Sequence, residues 1–187
     1  MPAFNSKLNN SIWNLLYPQK NSSGSDAVPP QKPVLTDYFA NRAEAELFYE
    51  KFQGIYEQLP KKGLTFSPCI FPWYSVEIHP SEVIHQLGFL AYVLQDEEKI
   101  TEMAARIGEI SINGYGSNRA HLLNLLLYTP ANQTQRELLI KYMGNGEEST
   151  SDKAISIVKR LTLQKDDYRL IEDMLRFKRS HLRGQLL

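Results

Sequence analysis

The chain has 187 residues, of which 21 are Lys or Arg and 21 are Asp or Glu, so its formal net charge is zero. A neutral chain has no overall electrostatic attraction to nucleic acid or to an anionic membrane. Its one cysteine, Cys69, excludes an intrachain disulfide, and no apolar run reaches the roughly 20 residues of a transmembrane helix. The N-terminus also lacks the apolar core and cleavage site of a Sec signal. We therefore expect a cytoplasmic protein, with export by injection into a host cell as the alternative.

The first 34 residues predict a flexible arm in two parts. Over residues 4–17 apolar side chains recur with helical spacing until Pro18, which indicates a short amphipathic helix. Residues 18–34 are small, polar and proline-rich, as in a linker that has too little apolar surface to fold. The helix either packs on its own domain or binds a partner protein. Its partner-binding positions would be Phe4, Leu8, Ile12, Trp13, Leu15 and Leu16.

Residues 35–187 predict a single α-helical domain. A capping box at Asn41 and Glu44 begins the first helix, which continues to Leu59 before Pro60. Apolar stripes at helical spacing then predict three pairs of helices, at 81–94 and 96–110, 117–128 and 132–143, and 151–163 and 165–182. The fold class is therefore mainly α, either a helical bundle or a short array of helical hairpins.

The first two pairs superpose at an offset of 36 residues, a spacing typical of helical repeats. His85 falls on His121, Leu90 on Leu126, and Tyr92 on Tyr128. The third pair does not share these identities, and leucine-rich helices often match by chance. We therefore prefer a non-repetitive bundle and keep a true repeat array as the alternative.

The aromatic, proline-rich segment 64–78 interrupts the helical pattern and predicts a short extended or β-like structure. Within it, Trp73 and Glu77 have the Trp-x-x-x-Glu spacing of injected bacterial effectors that act as exchange factors on small GTPases. Those effectors carry the two residues on helices, whereas Pro72 and the aromatic neighbours favour an extended segment here. The similarity covers five residues, and we do not infer membership of that class from it.

No group of residues has the arrangement of a catalytic or metal site. Cys69 has apolar neighbours, and His79 follows ten residues later, but the sequence shows no base within the hydrogen-bond reach that a cysteine nucleophile needs. The four histidines lack the close spacing of zinc ligands. We therefore expect no catalytic residue, no metal and no cofactor. An enzyme that uses Cys69 or the Trp73–Glu77 segment is the alternative.

Basic residues are concentrated near the C-terminus, at Arg176, Lys178, Arg179 and Arg183. Cations at the end of a helix complement its macrodipole, which explains them without a ligand. They also suggest a basic patch for an anionic lipid or for nucleic acid, although few aromatic residues accompany them. Nucleic-acid binding is therefore not expected, and peripheral membrane contact is an alternative.

These observations together predict a non-enzymatic protein that binds or regulates another protein. The helical body and the N-terminal amphipathic segment would form the contacts, and a secreted bacterial effector or its regulator is one concrete version. The first alternative is an effector enzyme or a GTPase exchange factor. The second is an electrostatic binder of anionic lipid or nucleic acid.

Overall fold

A computed structural model describes residues 27, 29–66, 76–110 and 118–177, with the backbone alone at 66, 76, 77, 118, 176 and 177. These residues form seven α-helices and two short strands, which confirms the mainly helical fold class. The helices are α1 (Arg42–Gln58), α2 (Pro80–Leu94), α3 (Glu97–Arg106), α4 (Asn118–Leu127), α5 (Gln133–Met143), α6 (Glu148–Val158) and α7 (Lys165–Phe177).

The two strands flank the aromatic segment and confirm that its ends are extended. Strand β1 (Leu64–Phe66) pairs antiparallel with β2 (Val76–Ile78), so that Thr65 lies opposite Glu77. Gly63 precedes β1 with a φ of +79°, and a Cβ there would lie 2.7 Å from the carbonyl oxygen of Ile78. Glycine is therefore required at the point where the chain turns into this hairpin.

Two of the helices begin at the asparagines that the sequence indicated. The Asn41 side chain accepts a hydrogen bond from the Glu44 N–H, and Asn132 accepts one from Gln135. In both cases the return bond goes one residue further back than in a standard capping box: the Glu44 carboxylate accepts from the N–H of Ala40. The predicted N-caps are confirmed, with this shift in the reciprocal contact.

The helices form two layers. The front layer consists of α2, α4 and α6, in which α4 packs against both of the others. The back layer consists of α1, α3, α5 and α7, in which α3 packs on α5 and α5 on α7. At the other end of this layer, Tyr49 of α1 lies beneath the Lys99 ammonium of α3. The front helices α2 and α4 each pack against the back helices before and after them in sequence, and α6 packs against α5, so the helices fit a bundle or a short array of helical hairpins.

Two predicted helices differ from the structure. The helix predicted at 96–110 ends at Arg106 and is followed by a 3-10 turn at Ile107–Glu109. The other helix is misplaced at both ends. The sequence placed the third front helix at 151–163, whereas α6 spans Glu148–Val158. Asn145 accepts a hydrogen bond from the Glu147 N–H, which lets the helix begin three residues earlier than predicted. Ser151 is not a start signal, because its hydroxyl donates to the carbonyl of Met143 at 2.5 Å and ties α6 to α5.

One hydrophobic cluster fills the space between the layers, and it extends in sequence from Phe39 to Val158. Most of the deeply buried large side chains come from α2 and α4, including Leu87, Phe89 and Leu122. Burial of each such side chain contributes roughly 1.5–3 kcal/mol. This core fixes the front helices side by side, and so it fixes the positions of the side chains on their outer face.

Candidate functional site

The outer face of the front layer carries a regular array of side chains, which we name the strap face. Each front helix contributes three positions at spacings of i, i+3 and i+7, which share one side of a helix. The array therefore has three rows, each with one residue from α2, α4 and α6 or the turn after it. The first row is His85, His121 and Lys153, the second is Gly88, Asn124 and Ser156, and the third is Tyr92, Tyr128 and Arg160.

Direct contacts show that the rows are aligned across the helices. In the third row the Arg160 guanidinium lies 4.3 Å from the ring centroid of Tyr128, a cation–π contact. Beside the second row, a Cβ on Gly88 would lie 2.7 Å from a methyl group of Leu122, a core residue of α4 outside the array, so glycine permits the close approach of α2 and α4. The first row lies two helical turns, about 10 Å, from the third.

Residues 27 and 29–34, which we name the strap, lie across this face. The Ala27 N–H donates to the Ser156 hydroxyl at 2.7 Å, although the two residues are 129 apart in sequence. The Arg160 guanidinium donates to the Ala27 carbonyl at 3.3 Å. On the other side of the face, the Tyr92 hydroxyl donates to the Gln31 carbonyl at 3.4 Å. All three bonds are made to the backbone of the strap, so they do not depend on its side chains.

The strap also shows a three-residue period in its burial. Ala27, Pro30 and Pro33 are half-buried, whereas Gln31 and Lys32 are exposed. A polyproline II helix has three residues per turn, so positions i, i+3 and i+6 share one edge. The period and the prolines together indicate that the strap lies on the face in an extended, polyproline-like conformation.

Aromatic contacts anchor the chain immediately after the strap. A 3-10 turn at Leu35–Asp37 leads to Tyr38, whose ring packs edge-on against Phe89 with centroids 5.3 Å apart. Phe39 is 3% exposed and packs against Phe48 of α1. The C-terminal end of the strap is therefore fixed to the core, while its N-terminal end is held by the contacts of Ala27.

The first row of the strap face combines three basic groups in a poorly hydrated environment. Burial, with a smaller contribution from the neighbouring His121, lowers the pKa of His85 to about 4. Burial and the positive charge of Lys153 likewise lower the pKa of His121. Lys153 itself is 8% exposed. Both histidines are therefore neutral at pH 7, and Lys153 supplies the charge of this row.

Some buried polar atoms on the strap face have no hydrogen-bond partner among the residues that the structure describes. The Nε2 atom of His85 and the hydroxyl of Tyr128 are examples. An unsatisfied buried polar group costs roughly 1–3 kcal/mol, so such groups are uncommon in folded proteins. The strap face thus retains hydrogen-bonding capacity that a ligand could use.

The back layer uses its buried polar groups differently. Asp167 at the start of α7 is fully buried, forms an ion pair with Arg136 of α5, and accepts the N–H of Gln164 at 2.8 Å. The hydrogen bonds from Arg136 are the main reason why the pKa of Asp167 is lowered. Arg136 also donates to the carbonyl of Thr162. This ion pair, which we name the α5–α7 latch, has a structural role because all its partners lie within the fold.

The residues that the sequence singled out for binding or catalysis lie mostly outside the described part of the chain. This holds for the amphipathic segment 4–17, which includes Phe4, Leu8, Ile12, Trp13, Leu15 and Leu16, and for Cys69, Trp73, Lys178, Arg179 and Arg183. Arg176 ends up in the last turn of α7 and Glu77 in β2, in both cases with the backbone alone described. The extended backbone at Glu77 differs from the helical setting of the Trp-x-x-x-Glu effectors.

Sequence reasoning missed the residues that hold the strap, namely Tyr92, Ser156 and Arg160. The offset of 36 residues indicated part of two of the three rows, because it aligns His85 with His121 and Tyr92 with Tyr128. The third helix follows at an offset of 32 residues with different residue types, so Lys153 and Arg160 do not appear in a search for identities.

The described residues contain no group of three or more His, Cys, Asp or Glu side chains that could hold a metal ion. No helix in the described ranges is long and apolar enough to cross a membrane.

The two layers fit a helical bundle or a short array of helical hairpins, and the strap lies across one face of it. The chain belongs to the family of unknown function DUF5724, whose model matches residues 4–187. The match thus includes the arm, the strap and both helical layers. No curated protein and no solved structure is significantly similar to this chain.

Proposed function

We propose that this protein is a non-enzymatic interaction module that binds an extended segment of a partner protein on the strap face. One observation carries the proposal: the chain's own strap is held there by Tyr92, Ser156 and Arg160 through bonds to its backbone. The strap is thus an intramolecular example of the binding that we propose for a partner.

The physical basis of this binding is recognition of backbone groups by side chains that project from rigid helices. An extended segment has unpaired carbonyl and N–H groups, and the strap face supplies donors at Tyr92 and Arg160 and an acceptor at Ser156. Helical arrays present such groups in a fixed geometry because each helix is held by its neighbours. Recognition of this kind gives affinity from the backbone, while the side chains of the partner set specificity.

The N-terminal amphipathic segment, residues 4–17, fits the same function as a second contact. Its apolar stripe would bind a groove of the partner, as amphipathic helices do, while the strap face binds an extended segment. Two linked contacts raise the overall affinity because the second contact forms at a high effective concentration.

The test is a selection of short peptides from a proteome-derived display library on the full chain. Selected peptides are then titrated by calorimetry against the wild type and against Arg160→Met and Tyr92→Phe. Each substitution removes one donor, so we expect affinity to fall about fivefold for Tyr92→Phe and more for the charged donor. Arg169→Met is the matched control, since Arg169 is an exposed cation on α7 in the back layer.

The proposal is wrong if peptides are selected but bind equally well to the wild type and to both strap-face variants. It is also wrong if Arg169→Met weakens binding as much as Arg160→Met does, because the loss would then follow total charge rather than the face.

A further inference from the structure

We propose that the partner segment is a polyproline II helix with a small residue that keeps its N–H at one position and proline or a small residue three and six positions later, and that it binds by taking the place of the strap. This inference rests on the proposed function and names both the ligand class and the element that competes for the site. The proposed ligand of the strap face is an extended, proline-bearing segment of a partner protein.

The ligand class follows from the residues of the strap that face the protein. Ala27, Pro30 and Pro33 are half-buried at a spacing of three residues, whereas Gln31 and Lys32 between them are exposed. A ligand with the same contacts needs a small residue with a free N–H at i, for the bond to Ser156, and small or cyclic side chains at i+3 and i+6. Polyproline II segments offer this pattern with little loss of conformational entropy, because proline already restricts φ.

The chemistry of the third row fits the same class. Tyr92 and Tyr128 are half-buried there, and Arg160 lies over the ring of Tyr128. Aromatic-lined grooves with a few hydrogen-bond donors are the usual binding sites of proline-rich segments. The Tyr92 hydroxyl and the Arg160 guanidinium donate to carbonyls four residues apart in the strap, so a ligand needs only its backbone to accept both bonds.

The strap can be exchanged because, among the described residues, its C-terminal end is held more firmly than its N-terminal end. Its C-terminal end continues into Tyr38 and Phe39, which pack on core aromatic rings. In the described part of the chain its N-terminal end is held by the two bonds of Ala27 and by the packing of that small side chain against the core, and two of the three bonds of the strap are longer than 3.2 Å. The strap can therefore detach at Ala27 and pivot about the 3-10 turn without loss of core contacts.

Occupancy by the strap reduces the affinity for a partner. A tethered segment competes at a high effective concentration, so the apparent affinity of a free peptide equals its intrinsic affinity multiplied by the fraction of molecules with an open face. A change that weakens the strap and leaves the face intact must then strengthen the binding of a free peptide.

The experiment uses the full chain and a fluorescent synthetic peptide that copies residues 24–36, measured by anisotropy. Ala27→Pro removes the N–H that donates to Ser156 and leaves every residue of the face unchanged. We expect the peptide to bind this variant about fivefold more tightly than the wild type, in line with the loss of one hydrogen bond. Lys32→Ala is the matched control within the strap, since Lys32 is exposed, and it should bind as the wild type does.

Two further measurements test the ligand class. A peptide of the same composition, with the prolines moved off the three-residue period, should bind at least fivefold more weakly to the Ala27→Pro chain. Arg160→Met in the Ala27→Pro background should also weaken the binding of the peptide that copies residues 24–36. Thermal melting of each variant, followed by circular dichroism, verifies that the helical body is folded.

Equal binding of the peptide by the wild type and by Ala27→Pro, or binding to neither, would overturn exchange of the strap. Equal binding of the proline-shifted peptide would overturn the polyproline II requirement. Neither result contradicts the proposed function if peptides selected from the library still depend on Tyr92 and Arg160. If the selected peptides bound independently of Tyr92 and Arg160, that result would by itself overturn the proposed function.

Discussion

The strap face and the back layer differ in how they treat buried polar groups. Where α3 and α5 meet, the Gln135 side chain makes hydrogen bonds to Ala131, Glu97 and Thr101, and so uses its amide oxygen and nitrogen. The Tyr142 hydroxyl donates to the carbonyl of Ala104 at 2.8 Å.

On the strap face, by contrast, His85 Nε2 and the Tyr128 hydroxyl have no partner among the described residues. The back layer has one exception, the Tyr49 hydroxyl, which lacks a partner there although Lys99 lies 5.3 Å from its ring centroid.

This difference separates the polar groups that hold the fold together from those that are available for function. A buried group with all its hydrogen bonds made stabilises one arrangement of helices, and its removal leaves a partner unsatisfied. A buried group without a partner contributes a cost to the folded state that a ligand can relieve. Substitution of a buried polar group should therefore reduce stability most in the back layer. On the strap face, substitution of such a group should change binding.

The largest effect is expected at the α5–α7 latch. Asp167→Asn removes the charge that pairs with the mostly buried Arg136 and weakens the cap on Gln164. Loss of one partner of a buried ion pair costs about 3–5 kcal/mol, because the other charge stays buried. We expect the free energy of unfolding in urea to fall by that amount.

Asp166→Asn is the matched control for the latch, since Asp166 is the neighbouring residue and pairs with Arg169 at the surface. An exposed pair of this kind contributes about 0–1 kcal/mol. Similar losses in the two variants would contradict the distinction between the buried latch and the surface pair.

The second effect concerns the cost of burying His85 on the strap face. The unfolded chain titrates near the ordinary histidine pKa of 6.5, whereas the folded protein lowers the pKa of His85 to about 4. Protonation therefore favours the unfolded chain: the contribution of His85 to stability is full above pH 6.5 and is lost progressively as the pH falls through 4. We expect a loss of about 3 kcal/mol from this group.

Urea unfolding of the wild type and of His85→Gln between pH 7 and pH 4 measures this loss. The stability of the variant should fall less steeply than that of the wild type over this range, because glutamine does not titrate. Parallel curves of stability against pH would show that folding does not lower the pKa of His85. The strap face would then not differ from the back layer in the electrostatic cost of burying this group.

Much of the fold could be predicted from local patterns, because helices depend on near neighbours in sequence. The capping residues Asn41 and Asn132 and the apolar stripes placed most of the helices within about two residues of their ends. The start of α6 was missed because Ser151 resembles an N-cap, whereas its hydroxyl bonds to Met143 of the preceding helix.

The strap face could not be predicted in the same way, because its contacts join residues that are distant in sequence. The linker composition of residues 18–34 gives no sign that the Ala27 N–H bonds to Ser156, 129 residues later. The three front helices also follow one another at two different sequence offsets, so no single repeat length aligns their residues. Only the three-dimensional packing of α2, α4 and α6 places Tyr92, Tyr128 and Arg160 in one row.

The smallest of the three effects compares a glycine at the seam of the front layer with one in the back layer. A Cβ on Gly88 would lie 2.7 Å from a Leu122 methyl group, so Gly88→Ala forces a buried side chain to move. Overpacking of this kind costs about 1–3 kcal/mol. Gly54 lies in α1 with no atom within 4 Å of the added Cβ, so Gly54→Ala should instead stabilise the protein by about 0.5–1 kcal/mol through helix propensity. Thermal melting should thus shift in opposite directions, and stabilisation by Gly88→Ala would show that α2 and α4 are not in tight contact beneath the strap face.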